Sequence, residues 1–129
     1  MQAFIVDLPN RPGSLAEVSE ALGAGGVNIA ATGATTSGSA GTVAFSTDDE
    51  AGARGVLQAN DWPFREVELV VASLEDRPGS LGEAARRLAT AGVNLESMFA
   101  TGMDDGKVQI AFGVSDAGAA RAALGDLAG

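Results

Sequence analysis

Apolar and polar positions change period along this chain in a fixed order, and the order occurs twice. Ala3 to Leu8 (AFIVDL) and Val67 to Leu74 (VELVVASL) are short, β-branched-rich runs of strand length. A helical spacing follows each: Leu15, Val18 and Leu22 fall on one face and predict a helix from Pro12 to about Ala24, matched by one from Pro78 to about Ala91. Proline suits a first helical turn, where its missing N–H had no partner, and Ser14 with Glu17 and Ser80 with Glu83 have capping-box spacing. Gly25-Gly26 and Gly92 end these helices in the left-handed conformation that glycine tolerates. NIAATGATT then pairs with GTVAFST across a Gly/Ser turn, and LESMFATG with KVQIAFGV across MDDG, whose Asp-Gly is a strong hairpin signal. A second helix opens at TDDEAGAR and at SDAGAAR, where aspartate suits the helix dipole, and runs around Ala51 to Gln58 and Ala117 to Leu127.

The duplication extends to residue identity. Arg11 to Ile29 lies over Arg77 to Leu95 without a gap, at an offset of 66, with Arg-Pro-Gly-Ser-Leu and Gly-Val-Asn shared. Beyond it the offset is 67, Phe45 falling on Phe112 and Arg54 on Arg121, so one residue has been gained in the second hairpin. The chain reads as two repeats, 1–62 and 63–129, each strand-helix-strand-strand-helix. The fold class is α+β: two ferredoxin-like repeats forming a largely antiparallel sheet with four helices on one face. Neither repeat has the fourth strand that would close such a unit. Strand 67–74 can serve both repeats in one six-stranded sheet, or the repeats form separate units with the last strand lost.

AFIV and LVVA are apolar at successive positions, whereas a strand covered on one face alternates. Helices cover one face; the second sheet of a homodimer is the expected cover for the other.

Composition narrows the chemistry. The chain has 129 residues and contains neither cysteine nor histidine, which removes disulfides, thiolate and imidazole metal sites, and Cys- or His-based catalysis. A net charge of −9 repels nucleic acid and anionic membrane surfaces. No run approaches the roughly 20 apolar residues of a membrane span, and the N-terminal stretch lacks the basic and apolar regions of a secretory signal. The expectation is a soluble cytoplasmic protein, without a metal or other cofactor.

A strand, then Asn/Asp-Arg-Pro-Gly-x-Leu at a helix start, then Gly-Val-Asn-Ile/Leu leading the next strand, resembles the ACT domain, a small-molecule regulatory module. ACT domains are attached to amino-acid biosynthetic enzymes such as phosphoglycerate dehydrogenase, aspartate kinase and threonine deaminase. The first repeat is especially similar to the serine-binding ACT domain of the dehydrogenase. The likeness covers essentially the whole chain, twice. It implies a non-catalytic regulatory protein that binds a small amino acid and acts as an allosteric sensor, through its own assembly or through a partner enzyme or regulator.

Binding a free amino acid demands donors for a carboxylate and acceptors for an ammonium. The turn into each first helix offers amides around Gly13-Ser14 and Gly79-Ser80 at a positive helix end, with glycine leaving room for close approach. Asn10 offers a donor and an acceptor; its counterpart Asp76, when ionised, offers only acceptors. The resemblance implies ligand contacts at Asn10 and Asn28, and by repetition at Asp76 and Asn94. The candidate sites are therefore Asn10, Pro12, Gly13, Ser14, Leu15, Asn28 and Ile29, and Asp76, Pro78, Gly79, Ser80, Leu81, Asn94 and Leu95. Structural roles compete with each: Asn10 and Asp76 as helix caps, the Ser-Glu pairs as capping boxes, Asn28 and Asn94 as local loop ties. Arg11 and Arg77 read as solvated, and Met98, Phe99 and Met103 as core or interface filler. Two other functions remain beside the sensor. One is a ligand-free interaction module. The other is an enzyme on the same scaffold such as an acyl phosphatase, for which no buried Arg and water-holding Asn can be paired and only carboxylates, Ser, Thr and Lys107 are left for proton transfer.

Overall fold

The computed structural model describes residues 1–128; Gly129, the last residue of the second repeat, lies outside the described residues. The chain divides into two compact units, Gln2–Glu66 and the residues from Val67 on, with Met1 counted in the second. Among the described residues there are six antiparallel strands and four helices.

In the first unit β1 (Gln2–Pro9) leads to α1 (Ser14–Ala24), β2 (Ala31–Ser37), β3 (Ala40–Ser46) and α2 (Glu50–Ala59). β3 is the central strand: Val43 stands opposite Val6 of β1 and Ala34 of β2. Alternation decides what is buried. Phe4, Val6, Leu8, Val43 and Phe45 point to one face, where Val18 and Leu22 of α1 and Ala53 and Leu57 of α2 meet them at helical spacing. Phe4 and Phe45 stack there, with ring centroids 5.4 Å apart and 19° between planes. The unit's next strand, β4 (Phe64–Glu75), starts three residues before the expected position, and Asp7 N–H donates to Pro63 O at 3.0 Å just ahead of it.

The second unit repeats the plan with α3 (Ser80–Thr90), β5 (Leu95–Asp104), β6 (Lys107–Val114) and α4 (Ala117–Leu124). Its core is Val70, Ala72, Leu74, Phe112 and Val114 against Ala84, Leu88, Ala120 and Leu124. The residue gained in the second hairpin is Thr101: β5 is bulged between Ala100 and Gly102, and registers on either side match those of β2. α4 stops at Leu124 rather than Leu127, because the chain tightens into a single 3₁₀ turn, Gly125–Leu127. Beyond that turn Ala128 forms one isolated antiparallel bridge to Ala72.

Two expectations are corrected by the local geometry. The first helix of each unit begins at Ser14 and Ser80, two residues after the prolines, because Gly13 and Gly79 at the caps adopt left-handed φ of 91° and no side chain caps them. The Ser-Glu capping boxes are therefore absent, whereas Asp49 and Asp116 do cap α2 and α4 by accepting from Gly52 N and Ala119 N. Ile5 and Leu69, of opposite parity to the core, are 5% and 3% exposed in the single chain, while Val71, of the same parity as Leu69 on β4, is half-buried.

One inter-repeat difference gives a stability prediction. Ser97 faces Gly113 across β5 and β6, where the first unit pairs Ala31 with Ser46. The Ser97 hydroxyl is buried without a partner, and a Cβ at position 113 would lie 2.3 Å from it and 2.9 Å from Val67 Cγ2. Gly113→Ala is expected to lower unfolding free energy by about 1–3 kcal/mol in urea melts, and Ser97→Ala in the same chain should recover part of the loss, the Val67 contact remaining.

Candidate functional site

The turn from β1 into α1 is held from three sides. Asn10 N–H donates to Ser39 O (2.9 Å) and its carboxamide to Gly38 O (2.8 Å), tying the turn to the β2–β3 hairpin. The Ser14 hydroxyl, buried, donates back to Pro9 O at 2.7 Å. Arg11 forms a two-pronged ion pair with Glu17, both contacts 3.2 Å, so the arginine that reads as solvated is held by the would-be capping glutamate. Asn10 is thus no helix cap. Among the described residues the amides of Gly13, Leu15 and Ala16 have no protein acceptor, and neither does Asn10 Oδ1 a donor. Unpaired amides are normal for a first helical turn; here one of the three residues, Leu15, lines a cavity.

That cavity, about 440 Å³, lies on the helix-bearing face of the sheet between the start of α1 and strand β2. Its floor is Leu8, Gly41 and Val43 with Ala34 and Thr36 beside them, and its wall is Pro9, Asn10, Arg11, Ser14 and Leu15. The volume falls within the roughly 300–1,000 Å³ of small-molecule sites. An apolar floor, the unpaired Leu15 amide at a helix start and one free carbonyl acceptor suit a molecule carrying a carboxylate, an ammonium and a short side chain.

The matching turn of the second unit keeps the backbone and changes the cavity. Asp76 N–H donates to Gly106 O, Gly79 has the same left-handed φ, and the Ser80 hydroxyl donates to Glu75 O at 2.6 Å. Arg77 joins both Glu75 (2.9 Å) and Glu83 (3.1 Å), which hold its guanidinium above its ordinary pKa. Asp76, like Asn10, caps nothing. The cavity by Asp76, Gly79, Ser80 and Leu81 is about 240 Å³, because Val108 stands where the first unit has Gly41.

Asn10, Ser14 and Leu15 are brought together around the first cavity, and Asp76, Gly79, Ser80 and Leu81 around the second; Pro12, Gly13 and Pro78 stay in the turns without lining either. Asn28 and Ile29, and Asn94 and Leu95, sit at the other ends of α1 and α3, roughly 16 Å of helix away. Asn28 is exposed, with no hydrogen bond to its carboxamide among the described residues. Asn94 is tied locally, its carboxamide to Glu96 and its N–H to the Ser115 hydroxyl. Sequence reasoning missed the floor residues Gly41, Thr36 and Ala34. The signal was there in Gly41, since a glycine inside a strand marks a place where something approaches the backbone closely.

No helix among the described residues is long and apolar enough to cross a membrane. No protein-family model matches the chain. No curated protein matches it either. Solved structures do. A Bacteroides thetaiotaomicron protein aligns with a TM-score of 0.78 at 22% identity, over 97% of this chain and 86% of that one. The regulatory subunits of aspartate kinase from Thermus flavus and from Thermus thermophilus, the latter in a ligand-free form, align with TM-scores of 0.73 and 0.69 at 20% and 19% identity, each over 98% of this chain and 90% of theirs. These likenesses are of fold alone, an α+β chain of six antiparallel strands and four helices.

Proposed function

We propose that the chain is a non-catalytic regulatory protein that binds a small amino acid at the strand-to-helix turn, with the first repeat as the principal site. The observation that carries this reading is the cavity beside Asn10, lined by Leu15, whose amide at the start of α1 is unpaired and suits a carboxylate, and by Asn10, whose free Oδ1 suits an ammonium. The fold shared with regulatory subunits of aspartate kinase supports it. Asn28, exposed and unpaired at the far end of α1, is left for a ligand or for a second copy of the chain in a homodimer. The signal passes by a change in assembly or by docking on a partner enzyme or regulator.

Thermal-shift screening of the twenty amino acids tests this. A molecule that binds only the folded chain adds about 2.7 kcal/mol at a hundred times its Kd, so at least one small amino acid should raise Tm with concentration. In calorimetry Asn10→Ala should weaken that amino acid by about 1.5–3 kcal/mol, the loss of a hydrogen bond to a charged group, while Asp76→Ala should change it far less. A flat response to all twenty would favour a ligand-free interaction module. One observation speaks for that alternative: the Asn10 amide and the Ser14 hydroxyl already have partners within the protein.

A further inference from the structure

The two hairpins match in register and turn by different chemistry. Ser37 and Ala40 close the first around Gly38-Ser39, where only Gly38 has a positive φ, 60°. Asp104 and Lys107 close the second around Asp105-Gly106, where both φ are positive, 49° and 74°. Two positive values mark a type I′ turn, for which Asp-Gly is a favoured pair. No other aspartate or asparagine of the chain precedes a glycine. Both residues are exposed. Among the described residues the Asp105 carboxylate has no hydrogen bond or ion pair, and the Gly106 N–H has no protein acceptor. A carboxyl carbon and an idle backbone nitrogen thus stand on neighbouring residues, with no Cβ on the glycine to hinder their approach.

Those two atoms can close a succinimide ring without any cofactor. The Gly106 nitrogen attacks Asp105 Cγ, the N–Cγ bond forms, and one Cγ–O bond breaks, its oxygen leaving as water with the amide proton and a proton from solvent. Water then adds to the Asp105 main-chain carbonyl and breaks its bond to the same nitrogen, leaving a free carboxylate there and returning the proton. The product is isoaspartate, and the backbone is longer by one carbon. The effect falls on one repeat. Gly106 O accepts from Asp76 N–H at 3.2 Å, the bond that ties the second strand-to-helix turn to its hairpin. A lengthened loop no longer closes tightly on Asp104 and Lys107, so that carbonyl moves off Asp76. Asn10 N–H makes the matching bond to Ser39 O, and the Gly38-Ser39 turn holds no carboxyl. The folded hairpin slows ring closure, because the turn must open before the nitrogen reaches Cγ. Exposed loop tips are where a fold opens at least cost, so the step is slowed and not stopped.

We propose that Asp105-Gly106 is a site of aspartyl isomerisation that releases the strand-to-helix turn of the second repeat and spares that of the first. The full chain is incubated at physiological temperature and neutral pH beside a synthetic peptide of residues 101–109. Peptide mapping with electron-transfer fragmentation follows isoaspartate at each aspartate, and amide-resolved spectra follow Asp76 and Asn10. The expected result is isoaspartate at position 105 before any other, formed more slowly than in the peptide, with the Asp76 amide resonance of the converted chain displaced and that of Asn10 unmoved. Asp105→Asn keeps the turn's preference and should form the same ring faster, with loss of ammonia and a mass change on hydrolysis. Asp105→Gly removes the carboxyl, suits the positive φ, and should hold the Asp76 resonance fixed through the same incubation. A folded chain free of isoaspartate at 105 once the peptide has converted would overturn the proposal, as would earlier conversion at another aspartate. So would a converted chain in which the Asp76 amide stays in place, or in which the Asn10 amide moves with it.

Discussion

Gly41→Val is expected to leave the chain folded and to remove its response to amino acids. Gly41 is buried in β3, on the floor of the larger cavity. A Cβ there would meet Leu8 O at 3.5 Å, Thr36 Cγ2 at 3.6 Å and Thr35 O at 3.7 Å, ordinary contacts that need no backbone shift. The second repeat already carries Val108 at this position in the same register, and its cavity is about 240 Å³ against about 440 Å³. Valine also suits a strand better than glycine, by up to about 1 kcal/mol. The variant should therefore melt at the parent temperature or above, while the thermal shift with a bound amino acid falls to nothing. In calorimetry no binding should be seen at the concentrations that saturate the parent, a loss well beyond the tenfold that corresponds to about 1.4 kcal/mol. An unchanged shift would show that the ligand lies elsewhere.

Phe45→Ala should be the most damaging core substitution. Phe45 is fully buried at the centre of the first unit and stacks on Phe4, which also touches Phe64 at 6.0 Å. Truncation removes the transfer free energy of the ring and leaves a cavity between strands and helices, a loss of about 3–5 kcal/mol. Against a typical total of about 5–15 kcal/mol, that is a large share of the stability. Phe112→Ala, at the matched position, should cost less by about 0.5–1.5 kcal/mol, the worth of an aromatic pair, because Val70 stands where the first unit has Phe4. Urea denaturation of both variants compares the two directly.

The fold was legible because two independent signals agreed. The switch from strand-like runs to helical spacing set the element order, and the second copy repeated it with Pro-Gly, Gly-Val-Asn and the matched phenylalanines in place. What escaped was chemistry that depends on which neighbour arrives first. Ser14 and Ser80 have capping-box spacing, but left-handed Gly13 and Gly79 turn the chain so that the hydroxyls meet Pro9 O and Glu75 O instead. Glu17 and Glu83, released from that role, take Arg11 and Arg77. The turns themselves could be named from sequence as candidate anion sites. The unequal cavities could not, since they rest on a register that places Gly41 and Thr36 beside one turn, and Val108 and Met103 beside the other. The bulge at Thr101 that preserves this register leaves only a one-residue offset in the sequence.

The central claim is that amides at the start of α1 hold an amino-acid carboxylate. Amide-resolved ¹H–¹⁵N spectra of the full chain, titrated with the amino acid that most raises Tm, test it most directly. Saturable shifts concentrated at Gly13, Leu15 and Ala16, with little movement at Gly79, Leu81 and Gly82, are the predicted result. Binding that leaves the first three amides where they were would contradict it.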